Sequence, residues 1–113
     1  GYKRYGLTPV GLIGSRDQHS FLQLIMDGVK DKTVSFIKVA AADANTAIPS
    51  ISLNGLEGCD FVNWLNLGEL INAQCSATMH ALVQEGISVD VIELERLDEA
   101  SAGFLIYYFE LLT

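Results

Sequence analysis

The residues with the clearest capacity for chemistry form a short cluster near the start of the chain, Gly14–Ser20. Within it, His19 can both donate and accept a proton near neutral pH. Ser15 is a candidate helix N-cap, and Gln18 can bond back to the backbone N–H of that cap, which makes a capping box. His19 would then lie in the first helical turn, where the helix dipole disfavours the charged imidazolium. The pattern therefore indicates a neutral histidine that can pass a proton.

Two flanking patterns would hold this cluster in place. An apolar run predicts a buried strand over Thr8–Ile13, and a helical pattern predicts a helix over Ser15–Asp27 that ends at Gly28. Loops at the carboxyl ends of parallel strands line the ligand crevice of α/β domains. The strand-to-helix turn at Gly14 is therefore where we expect the chemistry.

Strand and helix patterns alternate along the rest of the chain. After an irregular lead-in over residues 1–6, we predict two further strands, Thr33–Ala40 and Val89–Leu97. A loop fills 41–58, and a short helical lead over 60–65 packs Phe61, Trp64 and Leu65. A capping box of Asn66 and Glu69 starts a helix that runs to about Glu85 and stops at Gly86, and Asp98 caps the last helix. The order β-α-β-loop-α-β-α predicts one α/β domain over 1–113, with three layers and a short parallel sheet.

Composition excludes several classes of function. The 113 residues suffice for one domain, and 14 acidic against 7 basic residues give a net charge of −7, which argues against nucleic-acid binding. No apolar stretch has the length of a membrane span. Cys59 and Cys75 lie in unrelated segments, so we expect free thiols in a reducing cytoplasm and neither a disulfide nor a metal pair.

Other polar residues have structural interpretations that compete with chemical ones. The capping box already explains Gln18, and Arg16 suits either a phosphate or a solvated position. The N–H groups of the Gly14–Ser15 turn give a weak anion-site signal. His80 has no Cys or second His at metal-ligand spacing, which favours a structural role. We interpret the remaining polar candidates as a solvated acidic surface and as core tyrosines: Glu93, Glu95, Asp98 and Glu99, then Tyr107 and Tyr108.

Three segments carry a resemblance to a known family. They are Asp17-Gln18-His19-Ser20 with Leu22-Gln23-Leu24 and Asp27-Gly28; Asn72-Ala73-Gln74 with Ala77-Thr78; and Gly103-Phe104-Leu105-Ile106-Tyr107-Tyr108-Phe109-Glu110. In this order they resemble segments of bacterial glucose-6-phosphate isomerases, over nearly all of the chain. The Asp-Gln-His-Ser motif is the specific part, whereas the later segments are generic by themselves.

The resemblance implies a fold, a reaction and an assembly. The fold would be a three-layer sugar-isomerase domain, and the reaction would interconvert glucose 6-phosphate and fructose 6-phosphate by ring opening and a cis-enediol, without a cofactor or metal. His19 would be the catalytic residue that shuttles a proton between the ring oxygen and the C1 hydroxyl. In the family this histidine reaches the active site of the neighbouring subunit, which implies a homodimer. The expected location is the cytoplasm.

The resemblance also implies that parts of the catalytic set lie outside this chain. The family's general-base Glu precedes the histidine motif by more residues than the chain has, and its Gln and Lys follow the last helix. That helix reaches Thr113 without a Gly, Asn or basic residue to end it, so we expect an incomplete C-terminal domain of a longer protein. We expect the isolated chain to be inactive.

Two alternatives from other classes stay open. Sugar-isomerase domains also occur in regulators that bind phosphosugars without turnover, and a purely structural subunit would make His19 incidental.

The sequence makes a further prediction about the last helix, which is apolar almost all round. Phe104, Leu105, Phe109 and Leu112 should be mostly buried, within this chain or against a partner.

Overall fold

A computed structural model describes residues 8–40 and 46–112. Helix α1 spans Gly14–Asp27, strand β1 spans Thr33–Val39, and a short 3-10 helix spans Glu57–Val62. Helix α2 spans Leu67–Gln84, strand β2 spans Ser88–Leu94, and helix α3 spans Glu99–Leu112. The lead-in predicted for 1–6 and the loop residues 41–45 lie outside the described residues.

The two strands form a parallel sheet in which Thr33 pairs with Ser88 and Val39 with Leu94. Both strands are rich in β-branched residues, which suit a pleated, half-buried surface. At paired positions, Lys38 Nζ lies 2.6 Å from a Glu93 carboxylate oxygen. This ion pair reinforces the register and raises the pKa of Lys38, because the Glu93 carboxylate favours the ammonium. The mixed α/β architecture with a short parallel sheet is confirmed.

The predicted first strand, Thr8–Ile13, is wrong. These residues are exposed and form no strand, and no strand in the described part of the chain pairs with them. A strand gains its backbone hydrogen bonds only from a neighbour, so an apolar run without one has no reason to become regular. The sheet of the described residues therefore has two strands where three were expected.

The core lies between one face of the sheet and helices α1 and α2. Ile25 of α1, Leu82 of α2 and Ile87 just before β2 are buried together. Half-buried apolar side chains from α1 and from both strands surround them: Phe21, Leu22, Met26, Val34, Phe36 and Val89. This cluster holds α1 against α2, and so determines where the residues at the start of α1 lie.

The ends of α2 and α3 follow the predicted signals. The Asn66 side chain accepts a hydrogen bond from the Gly68 backbone N–H at 2.8 Å, which satisfies one of the free donors at the start of α2. Beyond its end, Gly86 has φ +75°, a conformation that glycine adopts without the Cβ penalty. Asp98 accepts from the Ser101 N–H at 2.8 Å and caps α3. The Asn66 cap, the Gly86 stop and the Asp98 cap are confirmed, whereas no hydrogen bond of the described residues joins Glu69 to the Asn66 N–H as the predicted capping box requires.

Large apolar surfaces stay exposed in the rest of the described chain. Phe61 and Trp64 are 75% and 73% exposed, so the packing predicted for them is wrong within this chain. No residue of α3 is buried either: Phe104, Phe109 and Leu112 are exposed and Leu105 is half-buried. The radius of gyration is 17.7 Å, against about 13 Å for a compact domain of roughly this length. The described chain therefore does not enclose its apolar residues by itself.

In the part of the chain that the structure describes, no helix is both long enough and apolar enough to cross a membrane.

Candidate functional site

The start of α1 is capped differently from the prediction. Ile13 occupies the N-cap and makes no side-chain bond, while Ser15 lies inside the helix. The carboxylate of Asp17 accepts a hydrogen bond from the Ile13 backbone N–H at 3.0 Å. A carboxylate is a stronger acceptor than a hydroxyl or an amide. Asp17 therefore caps the start of α1 in place of Ser15 and Gln18, and the predicted capping box of those two residues is wrong.

Asp17 also neutralises its neighbour Arg16. The Arg16 Nε donates to the other Asp17 carboxylate oxygen at 3.0 Å, and the Arg16 side chain is exposed to solvent. The hydrogen bond from the Arg16 guanidinium, and to a lesser extent the one from the Ile13 N–H, holds the pKa of Asp17 below its usual value. An anion approaching this helix end would meet an ionised carboxylate beside the arginine. The geometry therefore disfavours a phosphate at Arg16 or at the Gly14–Ser15 turn.

Gln18 has a structural role, but through a residue 60 positions away. Its Nε2 donates to the Thr78 hydroxyl on α2 at 3.1 Å, in a partly buried contact. The Thr78 hydroxyl in turn donates to the Gln74 carbonyl at 2.9 Å. The side chain before His19 is thus tied to the neighbouring helix. The preference for structure at Gln18 is correct, although the bond differs from the predicted one.

His19 itself is exposed and lines a shallow groove along α1. The residues that line it are Gln18, His19, Leu22, Gln23, Met26 and Asp27. All six residues belong to α1, so the described chain supplies one wall of the groove and leaves the opposite side open. An open imidazole in such a groove can meet a ligand held by another surface.

The other candidates do not join His19. His80 is exposed on α2 and does not line this groove. Glu93 pairs with Lys38, and Asp98 caps α3, where the Ser101 N–H lowers its pKa. Within 8–40 and 46–112, no group of three His, Cys, Asp or Glu residues could hold a metal ion. The candidate site in the described chain therefore consists of His19 alone, and His80 lies outside it.

The two cysteines and two of the tyrosines differ in how well the sequence predicted their surroundings. Cys59 is exposed, Cys75 is half-buried, and both are free thiols, as expected. Tyr107 and Tyr108 are exposed, so their core assignment is wrong within this chain. No local signal in the sequence indicates the hydrogen bond between Thr78 and Gln18, because the two residues lie 60 positions apart. The available hint was that Thr78 itself belongs to one of the resemblance segments, Asn72-Ala73-Gln74 with Ala77-Thr78.

Comparisons with known proteins identify relatives of the whole chain. It is 61% identical over 113 residues to a glucose-6-phosphate isomerase of Campylobacter jejuni, covering all of the chain and 27% of that protein. It is 36% identical over 108 residues to the Rubrobacter xylanophilus enzyme of the same name, covering 96% of the chain and 25% of that enzyme. A Methanocaldococcus jannaschii glucose-6-phosphate isomerase is 33% identical over 112 residues, with 98% and 26% covered. No protein-family model and no solved structure matches the chain significantly.

The chain is therefore similar, over nearly its whole length, to proteins that are named isomerases. More particularly, the chain is homologous to a segment of glucose-6-phosphate isomerase, and the resemblance read from its motifs is confirmed. The chain spans about a quarter of the length of the curated relatives it matches.

Proposed function

We propose that this chain forms part of a glucose-6-phosphate isomerase and that His19 is its proton shuttle for ring opening. The observation that carries the proposal is the exposed position of His19 in the groove along α1, within a chain aligned over its whole length with a named isomerase. The substrate would be a sugar phosphate, glucose 6-phosphate in one direction and fructose 6-phosphate in the other. We expect the enzyme to be cytoplasmic.

Ring opening is a reaction that one histidine can assist. The imidazole accepts the proton of the C1 hydroxyl and donates a proton to the ring oxygen, while the bond between C1 and that oxygen breaks and a carbonyl forms at C1. The imidazole ends as it began, so the step needs no cofactor. A group that titrates near neutrality suits this exchange, because it must accept and donate in one turnover.

The later transfer of hydrogen from C2 to C1 needs a separate base. We assign none of the chain's acidic residues to this role. The carboxylate of Asp17 already binds the Ile13 N–H and Arg16, and the carboxylate of Glu93 already pairs with Lys38. The base would be the family's Glu, outside this chain.

A sugar-isomerase fold and a homodimer complete the proposal. The parallel sheet, with α1 and α2 packed on one face, is the kind of scaffold such a domain requires. The groove that bears His19 lacks an opposite wall in the described chain. A neighbouring subunit holding the substrate would supply that wall, and His19 would then act in the partner's active site.

The test is a chimera built on the Campylobacter jejuni relative, in which the aligned segment is replaced by these 113 residues. We expect the chimera to isomerise glucose 6-phosphate. His19→Ala should lower kcat for the cyclic substrate by about 10²–10⁴-fold, the usual contribution of one acid–base group. The loss should be much smaller on an open-chain aldose phosphate, which needs no ring opening.

His80→Ala is the matched control, because His80 is an exposed helical histidine outside the groove. It should behave like the unsubstituted chimera. Equal losses for cyclic and open-chain substrates in His19→Ala would contradict ring opening as its role. A chimera that binds the sugar phosphate in titration calorimetry without turnover would favour a regulatory binding module instead.

A further inference from the structure

The contact between α1 and α2 is mostly apolar, with one directional bond beside His19. Ile25, Leu82 and their half-buried neighbours hold the two helices together near the middle and end of α1. On α1 this apolar cluster begins at Phe21, so among the described side-chain hydrogen bonds it is Gln18–Thr78 that joins the first turns of α1 to α2. The Gln18–Thr78 hydrogen bond lies one residue before His19, in the part of α1 that precedes this cluster.

The direction of that bond is fixed by its chemistry. A threonine hydroxyl has one proton, and Thr78 gives it to the Gln74 carbonyl four residues earlier in α2. Thr78 can therefore only accept from Gln18, and Gln18 must present its NH₂ group. Gln18 donates to Thr78, and Thr78 donates to a backbone carbonyl of α2, so the Gln18 amide is held by a rigid helix.

Because of helix geometry, a small rotation of α1 about its axis would displace the His19 imidazole. Consecutive residues differ by about 100° around the axis, and side chains extend to roughly 5–6 Å from it. A roll of α1 by about 20° would therefore move the His19 ring by roughly 2 Å. Displacement of a reacting group by about 1 Å can cost on the order of 10²-fold in rate. His19 is exposed, so for a given rotamer the rotation of α1 sets where its ring lies.

We propose that the Gln18–Thr78 hydrogen bond fixes the rotation of α1 and so directs His19 toward the ring oxygen of the substrate. Thr78 is then a positioning residue for ring opening, although it lies on a different helix from the histidine. The inference rests on the proposed function of His19.

The experiment uses the chimera described above. Thr78→Val removes the hydroxyl and keeps the shape, whereas Thr78→Ser keeps the hydroxyl. We expect Thr78→Val to lower kcat on the cyclic substrate by on the order of 10- to 100-fold, with KM and open-chain turnover little changed. Thr78→Ser should restore most of the rate. Thr33→Val, at an exposed position at the start of β1, is the matched control and should have no effect.

A double-variant comparison separates positioning from general structure. In the His19→Ala background, Thr78→Val should cause no further loss, because the group it positions is already gone. Thermal unfolding of each variant checks that it is folded. If Thr78→Val does not fold, Gln18→Met carries the same test, since it removes the donor from the other side of the bond.

The outcomes distinguish the two proposals. If His19→Ala is impaired on the cyclic substrate and Thr78→Val is not, the positioning role is overturned and the function of His19 stands. Equal losses of Thr78→Val on both substrates, or a further loss in the His19→Ala background, would show a general structural role and also overturn it. If His19→Ala itself retains full activity, the proposed function fails and the positioning role fails with it.

Discussion

Replacing Leu82 with alanine should measure how much the small core stabilises the chain. Leu82 is 1% exposed and contacts the buried cluster of Ile25 and Ile87. Leucine-to-alanine changes in cores cost about 2–5 kcal/mol, and the cost is lower where the surroundings can relax. The residues that surround this cluster are half-buried, so we expect the lower part of that range, about 2–3 kcal/mol.

The control is the next residue along α2. Val83 is 58% exposed, so Val83→Ala removes two methyl groups from the same helix without opening a cavity. Its effect should lie within about 0.5 kcal/mol, as for other surface substitutions. The comparison therefore isolates burial, since the two positions share a helix and differ in exposure.

The assay is urea unfolding of the 113-residue chain, followed by circular dichroism at 25 °C. With a denaturant slope of about 1–3 kcal/mol/M, Leu82→Ala should lower the midpoint by roughly 1–2 M. Val83→Ala should leave the midpoint nearly unchanged. Equal midpoints for the two variants would refute the packing described around Leu82, and a larger shift for Val83→Ala would reverse the assignment of the helix face.

Three further predictions follow from the caps and from the proposed chemistry. Asn66→Ala should destabilise the chain by about 1 kcal/mol in urea unfolding, because it removes the acceptor of the Gly68 N–H, whereas Asn66→Asp should not. The pKa of Asp98 is lowered in the folded state by the Ser101 N–H, so its stabilisation is present at neutral pH and is lost as the pH falls through the folded pKa. Unfolding of Asp98→Asn, which keeps a cap but does not titrate, should depend less on pH below 5, and an unchanged slope would count against the cap. The isolated chain should produce no fructose 6-phosphate above the blank in a coupled assay; turnover abolished by His19→Ala would show that a base is present after all.

Local signals in the sequence predicted the parts of the fold that depend on neighbouring residues. The start of α2 at Asn66, its stop at Gly86 and the cap of α3 at Asp98 each require a bond or a backbone angle within a few residues. β1 also followed from its β-branched composition. These elements were predictable because their physical causes are local.

The predictions that failed depend on contacts between residues that are far apart in the sequence. Thr8–Ile13 could become a strand only beside a partner, and the described residues provide none. Gln18 was assigned to a local cap because Thr78, 60 residues later, cannot be paired with it by spacing. Exposure of Phe61 and of α3 likewise depends on what else packs there. For the site, the sequence located His19 on a helix, but the open groove and the tie to α2 required coordinates.

The parallel register also has a consequence for the order of folding. Thr33 pairs with Ser88, so closing the sheet joins residues 55 positions apart in the chain. The entropy of closing such a loop must be overcome before any strand bond forms, whereas α2 needs contacts only between near neighbours. Helix formation should therefore precede sheet formation during refolding. Until β1 and β2 meet, each exposes unpaired backbone groups that another molecule can capture, so refolding yield should fall as protein concentration rises.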